Sequence, residues 1–174
     1  MQSNVQARAR VSLGVGILST KIEIFYIYLQ MRVYLDNCCF NRPFDDQSNI
    51  MNRMESDAKL FIQEQIKNGI INLVWSSVNE FENNDNPSFE KRERIAVWKQ
   101  IAVEHCNLNE TILDKALELE KIGLRSKDAL HIACAIFAKA DFFITTDKKI
   151  LNKDVSGISL ANPITFVEEF LYDK

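Results

Sequence analysis

Four acidic residues of this chain stand where a strand ends or a helix begins: Asp36, Glu80, Asp128 and Asp147. Asp36 closes the apolar run 33–35, and Asp147 closes the apolar run 142–146. Because open α/β sheets bind ligands at the carboxyl ends of their strands, we expect both acids to emerge at that edge. Two carboxylates about 5 Å apart repel by about 3 kcal/mol at an effective dielectric near 20. A hard divalent cation relieves this repulsion, so the pattern predicts a carboxylate metal site.

The elements that would position these acids alternate between strand and helix from Met31 onward. This alternation is typical of βα units, and it predicts an α/β fold that is a three-layer α/β/α sandwich with a mainly parallel sheet. The expected strands are 32–35, 70–75 and 142–145. The expected helices are one from Ile50 to the stop at Gly69, a short one from Ser76 or Ser77 with Glu80 in its first turn, then 89–103, 109–122, 127–139 and a last one opened by Asn162 and Pro163.

Composition and charge set limits on the class of protein. The 174 residues are 47% hydrophobic and 26% charged, which is typical of one globular domain and not of a disordered or fibrous chain. The net charge of -3 gives no overall attraction to nucleic acid, so any such binding requires a local basic surface. The four cysteines lack the spacing of a zinc site, and we expect them to be reduced and mostly buried in a cytoplasmic protein.

Residues 1–30 differ from the rest of the chain. Arg8 and Arg10 precede an apolar stretch, which Lys21 and Glu23 interrupt before it reaches the roughly 20 residues of a membrane span. No small-residue cleavage pattern of a secretory signal follows. We therefore expect no membrane association and an N-terminal extension outside the fold, with the folded domain covering 31–174.

Four short segments carry a resemblance to a known family. They are VYLDN at 33–37, SSVNEF at 76–81, KDALHIA at 127–133 and ITTD at 144–147, followed by Asn162-Pro163 before the last helix. In this order and on these elements, they resemble the PIN-domain nucleases, as in the VapC-like toxins of toxin-antitoxin pairs. Asn37 departs from the pattern, since the family more often has Ser or Thr there.

The resemblance implies an activity, a cofactor and partners. It implies that the matching acids Asp36, Glu80, Asp128 and Asp147 are catalytic and hold Mg²⁺ or Mn²⁺, and that the protein is an endoribonuclease leaving 5′-phosphate and 3′-hydroxyl ends. It further implies a small antitoxin that covers the acidic pocket, and a homodimer. The chemistry is consistent with this, because such a cation polarises a phosphodiester and lowers the pKa of a bound water.

The acids and their neighbours can be given expected roles. Asp36, at a strand end, is the best candidate for a direct ligand, and Asp128, in the first turn of a helix, is the second. Glu80 and Asp147 would complete the site directly or through water. The candidates for orienting ligands or contacting RNA phosphates are Asn37, Arg42, Thr145, Thr146, Lys148 and Lys149.

Several alternatives stay open. A single Asp at a helix start is usually a cap, and only the joint pattern argues for a metal site. His131 shares a helix face with Asp128; we expect core packing, although it could lie behind the site or touch substrate. A non-catalytic RNA-binding module with this fold, or a structure-specific DNA nuclease, would have a similar sequence. A phosphatase with an aspartyl nucleophile would want a second Asp where Cys38 stands.

Overall fold

The computed structural model describes residues 31–172. The strands are β1 Arg32–Leu35, β2 Asn72–Ser76, β3 Glu104–Cys106, β4 Phe142–Ile144 and β5 Ser159–Ala161. The helices are α1 Asn37–Asn41, α2 Ile50–Lys67, α3 Ser77–Asn84, α4 Phe89–Ile101, α5 Glu110–Lys121, α6 Ser126–Phe137, α7 Lys148–Leu151 and α8 Pro163–Tyr172. A 3-10 turn, Arg42–Phe44, follows α1. The expectation that 1–30 forms an extension falls outside the described residues.

All five strands are parallel, in the order β3-β2-β1-β4-β5. The chain adds β2 and β3 on one side of β1, and then crosses over to add β4 and β5 on the other side. The topological switch point therefore lies between β1 and β4. Ligands of open α/β sheets bind in the crevice at the carboxyl ends of the strands at such a point. Asp36 directly follows β1, and Asp147 comes three residues after β4.

Two hydrophobic cores cover the two faces of the sheet, which confirms the expected three-layer α/β/α sandwich. Side chains alternate between the faces along each strand. In β1, Tyr34 joins the core with α5 and α6, whereas Val33 and Leu35 join the core with α2, α4 and α8. None of the helices within 31–172 is long and apolar enough to cross a bilayer.

The element boundaries differ from the sequence expectation at several places. The helix expected over 89–103 ends at Ile101, and the chain then enters β3, which pairs with β2. Strands β3 and β5 were not expected, because three residues are too few to show an alternating pattern. The helices α1 and α7 were also unexpected, and each is five residues or shorter. Both start immediately after a candidate ligand, Asp36 or Asp147, which occupies the N-cap position.

Candidate metal centre at the carboxyl edge of the sheet

Asp36 is held rigidly at the switch point. Its backbone N–H donates to the Ile144 carbonyl of the neighbouring strand at 3.0 Å. Its carboxylate oxygen Oδ2 accepts hydrogen bonds from the Thr145 hydroxyl at 2.7 Å and from the Cys38 thiol at 3.1 Å. The residue is only 9% exposed. A carboxylate held from the ends of two adjacent strands is suited to be a fixed ligand, since rigid elements and supporting hydrogen bonds set ligand geometry.

Thr145 links Asp36 to Asp147. Its hydroxyl oxygen accepts from the backbone N–H of Asp147 at 3.1 Å while its hydrogen goes to Asp36. Asp147 caps α7, and its Oδ1 accepts from the backbone N–H of Lys149 at 2.7 Å. The Thr146 backbone N–H donates to the Cys38 sulfur at 3.3 Å. The segment after β4 is therefore tied to the segment after β1.

Asp128 lies in the first turn of α6, and its electrostatics place it in the same group. Burial raises the pKa of Asp128, and the negative charges of Asp36 and Asp147 raise it further. Arg125 and His131 act in the opposite direction, without cancelling the effect. Three of the four acids singled out from the sequence thus share one electrostatic environment, with the mutual repulsion that a metal site would relieve.

Glu80 is not part of this group. Its carboxylate forms an ion pair with Lys99 of α4 at 2.8 Å, and its side chain is 46% exposed. Glu82, two residues later, instead lies with Asp36 and His131, and ligand atoms of these three residues are all within 4.8 Å of one another. The reason is the phase of α3, because two residues correspond to a rotation of about 200° around a helix.

A sequence signal for Glu82 existed. Residues three and four apart share a helix face, and Glu82 follows Val78 and Asn79 at those distances. Both of these are buried, whereas Phe81 is 63% exposed. Position within the first turn pointed to Glu80, but the apolar and amide residues that anchor α3 point to Glu82.

Glu82 is ionised and doubly contacted. Its Oε1 lies 3.1 Å from the Lys127 ammonium, and its Oε2 lies 3.1 Å from His131 Nε2. Partial burial acts to raise the pKa of Glu82, but the hydrogen bonds and charges of His131 and Lys127 outweigh it and lower the pKa to about 2. This carboxylate is therefore negatively charged at any physiological pH.

His131 is buried, as expected from the sequence, but it is also part of the site. It is 2% exposed, and its ring packs edge-on against Tyr34 with 5.7 Å between centroids. Its Nδ1 lies 2.6 Å from the Tyr34 hydroxyl. Core packing and proximity to the acids are thus compatible, because α6 presents both Asp128 and His131 toward the same edge.

The remaining sequence candidates fall into two sets. Asn37 is 6% exposed; its Nδ2 donates to the Asn79 carbonyl at 3.3 Å, and its Oδ1 finds no hydrogen-bond partner within the described residues. Lys148 and Lys149 are exposed beside Asp147. Arg42 is engaged elsewhere: its guanidinium lies 2.9 Å from Asp45 and 2.9 Å from Glu55. These pairs fasten the 3-10 turn to α2 and leave little of Arg42 for a substrate.

The donor set fits a divalent cation. The negative charges of Asp36 and Asp147 act with burial to raise the pKa of Asp128. Glu82 contributes a further carboxylate oxygen and His131 a ring nitrogen, both within 4.8 Å of an Asp36 oxygen. Oxygen-rich sites of this kind suit Mg²⁺ and Mn²⁺. Fold and site together define a class: parallel α/β proteins with a carboxylate cluster at the switch point that is able to hold a divalent cation.

Comparison with known proteins identifies the family. A family model described as PIN domain matches residues 33–155, which is more than half of the chain. The chain belongs to the PIN-domain family, and this places it among the nucleases. No curated protein matches it.

Two solved structures are distantly similar. One is VapBC2 from Rickettsia felis bound to a DNA fragment from their promoter, with 15% identity, a TM-score of 0.48, and coverage of 76% of this chain and 98% of that chain. The other is FitAcB from Neisseria gonorrhoeae, with 12% identity, a TM-score of 0.49, and coverage of 75% and 97%. The family assignment rests on the sequence match and not on these two similarities.

Proposed function

We propose that this protein is an endoribonuclease that depends on Mg²⁺ or Mn²⁺ and hydrolyses phosphodiester bonds of RNA. The observation that carries the proposal is the convergence of Asp36 with the Glu82 carboxylate, within 4.8 Å, and with the charge of Asp128. Family membership supports nucleic acid as the substrate class. Asp36, Glu82, Asp128 and Asp147 are the proposed ligands, with Glu82 in the role that was expected for Glu80.

The residues of the site have different proposed roles in holding the cation. Asp36, held by Thr145 and Cys38, is the fixed ligand, and Asp128 and Asp147 complete the negative field around it. When bound, the cation supplies Lewis-acid chemistry that polarises a phosphodiester and lowers the pKa of a water molecule. The buried Asn37 Oδ1, which lacks a partner within 31–172, is an acceptor available to a buried water molecule next to Asp36 in the chain.

Binding of RNA needs positive charge near an acidic centre in a chain of net charge -3. Lys148 and Lys149 are exposed and directly follow Asp147, so they can contact phosphates on either side of the bond to be cut. Thr146, partly buried beside them, can add a neutral hydroxyl contact. These assignments are part of the proposal and follow from position and exposure.

A toxin role, with an antitoxin partner and a homodimer, also belongs to the proposal. Support comes from large apolar side chains that α2 leaves open to solvent, at 46% to 63% exposure: Ile50, Met51, Met54 and Leu60. Contiguous apolar patches mark interaction surfaces, and Ile50, Met51 and Met54 lie on one side of the first turns of α2. Light scattering of the purified chain would test the dimer, and a strictly monomeric species at a concentration of about 100 µM would exclude it.

The function is tested by incubating labelled RNA and DNA of the same sequence with and without Mn²⁺. We expect the wild type to cut RNA only when Mn²⁺ is present, and Asp128→Asn and Glu82→Gln to lose roughly 100-fold or more of that activity, as removal of charge at metal sites commonly does. Glu80→Gln is the matched control on the same helix and should retain activity. Binding without cleavage would favour an RNA-binding module, and faster cleavage of DNA would favour a DNA nuclease.

A further inference from the structure

His131 has one ring nitrogen whose role depends on the hydrogen positions around it. Its Nδ1 faces Tyr34, and its Nε2 faces Glu82, in a region where the histidine is 2% exposed. A neutral imidazole carries hydrogen on only one of its nitrogens. The surrounding hydrogen bonds decide which nitrogen this is.

The side-chain amide of Asn79 is held in one orientation by two backbone groups. Its Oδ1 accepts from the backbone N–H of Ser76 at 3.0 Å, and its Nδ2 donates to the Leu35 carbonyl at 3.1 Å. Exchanging the two atoms would oppose donor to donor and acceptor to acceptor. The Ser76 hydroxyl, 3.0 Å from Asn79 Oδ1, therefore donates to it.

The direction of the next two bonds follows. Because the hydrogen of Ser76 Oγ is used, the Tyr34 hydroxyl donates to Ser76 Oγ across 2.5 Å. A tyrosine hydroxyl carries its hydrogen at neutral pH, and here it has one to donate. Tyr34 must then accept from His131, whose Nδ1 lies 2.6 Å away and carries the ring hydrogen. A neutral His131 therefore presents a bare lone pair at Nε2.

That lone pair faces an oxygen that also lacks a hydrogen. Nε2 and Glu82 Oε2 are 3.1 Å apart, and ligand atoms of these two residues lie within 4.8 Å of an Asp36 oxygen. Two acceptors at such a distance repel unless a proton or a cation lies between them, and the Lys127 ammonium contacts the other oxygen of Glu82, Oε1. Metal–ligand bonds of about 2.1 Å at right angles would separate two donor atoms by about 3 Å, which matches this spacing.

We propose that His131 Nε2 is a direct metal ligand, so that the centre is a mixed nitrogen and oxygen site built on Asp36, Glu82 and His131. The inference rests on the proposed metal-dependent function and deepens it. Imidazole binds first-row transition-metal ions better than Mg²⁺, so this nitrogen ligand favours Mn²⁺, and the later ions of that row more strongly, over Mg²⁺. The buried relay from Nδ1 through Tyr34 and Ser76 to Asn79 fixes the ring, as the outer hydrogen bonds of metal-binding histidines commonly do.

The competing arrangement places a proton, instead of a metal, at Nε2. His131 would then be an imidazolium that forms a plain ion pair with Glu82, and the metal would be held by oxygen atoms alone. The two arrangements predict different atoms next to the ion. They can be told apart without measuring catalysis.

The test is pulsed EPR on the full chain loaded with Mn²⁺, which detects coupling of the ion to an imidazole ¹⁴N. The chain has two histidines, and the second, His105, is exposed and lies 2.7 Å from the Lys99 carbonyl, so His105→Gln is the matched control. We expect imidazole coupling in the wild type and in His105→Gln, and none in His131→Asn. The shorter asparagine side chain of that variant keeps a group able to donate to Tyr34 and has no atom that reaches the position of Nε2.

Competition calorimetry gives a second readout. His131→Asn should weaken Mn²⁺ binding by about 10-fold to 100-fold, whereas Mg²⁺ binding should change by less than about 3-fold. Mn²⁺ that binds the wild type without imidazole coupling, or coupling lost in His105→Gln, would overturn the assignment while leaving the nuclease proposal intact. Absence of Mn²⁺ binding altogether would remove the metal dependence of the proposed function as well. If His131→Asn does not fold, the wild type and His105→Gln spectra still decide.

Discussion

Replacing Asp36 with asparagine should stabilise the metal-free protein. Oxygens of Asp36 and Glu82 within 4.8 Å repel by at least about 3.5 kcal/mol at an effective dielectric of 20. The Lys127 ammonium, 3.1 Å from Glu82, offsets part of this. Asparagine still accepts from the Thr145 hydroxyl, but a hydrogen bond to a neutral oxygen is weaker by about 1 kcal/mol. The net expectation is a stabilisation of about 1–2 kcal/mol.

The measurement is thermal unfolding followed by circular dichroism, in EDTA and again with Mn²⁺. For a chain of this size, 1–2 kcal/mol corresponds to a rise in Tm of about 2–8 °C in EDTA. With Mn²⁺ the order should reverse, since the wild type gains the binding free energy of the ion and the variant loses most of it.

A control separates charge from hydrogen bonding. Thr145→Val keeps the Asp36 charge and removes its 2.7 Å donor, so it should lower Tm in EDTA. If Asp36→Asn also melts below the wild type in EDTA, the carboxylate is paired and not repelled. That result would refute the idea that repelling carboxylates form a cation site at this edge of the sheet.

Other expected outcomes concern charge and pH. Lys148→Ala with Lys149→Ala should weaken RNA binding and reduce the slope of log affinity against log salt by up to about 2; an unchanged slope would remove both lysines from the substrate path. Lys59 is 5% exposed, and burial lowers its pKa from 10.5 to about 8. As pH rises, the folded state therefore loses this proton before the unfolded state does, and the free energy of unfolding should rise between pH 8 and 10.5. Lys59→Met should remove that rise, worth about 3 kcal/mol, and be more stable at pH 7 in urea unfolding. The lowered pKa of Glu82 predicts that the protein loses stability in acid. The ionised carboxylate contributes about 2 kcal/mol to the free energy of unfolding after allowance for solvent screening; this contribution is complete above pH 4.5 and disappears as pH falls toward 2. The stability of Glu82→Gln should not show this decrease.

The sequence predicted the parts of the fold that have long or strongly patterned elements. The helix α2 has apolar residues at helical spacing, and β1 contains a continuous apolar run. Asp36 could be placed at a sheet edge because this apolar strand precedes it. Strands β3 and β5 could not be found, because their three residues become strands only through pairing with β2 and β4. Pairing of this kind depends on residues far away in the chain.

The choice between Glu80 and Glu82 shows a different limit. Both are acids on α3, and only the rotation of that helix decides which one faces Asp36. The capping box of Ser76 and Asn79 fixes this rotation, since it anchors the first turn to β2 and, through Asn79 Nδ2, to Leu35 of β1. The same two residues end the relay that orients His131. A cap that local sequence rules explain as helix initiation thus also aligns the candidate ligands.

The repulsion between carboxylates lowers the stability of the metal-free protein, and the same free energy is recovered when a cation binds and relieves it. If folding holds Asp36 near Glu82 against about 2 kcal/mol, relief of that repulsion strengthens cation binding by about 30-fold. A variant that relaxes the site therefore gains stability and loses affinity by comparable factors, because linkage requires the two changes to balance. Thermal stability in EDTA and Mn²⁺ affinity should consequently vary in opposite directions across Asp36→Asn and Asp128→Asn. A set of variants in which both quantities fell together would mean that these acids serve mainly as structural partners.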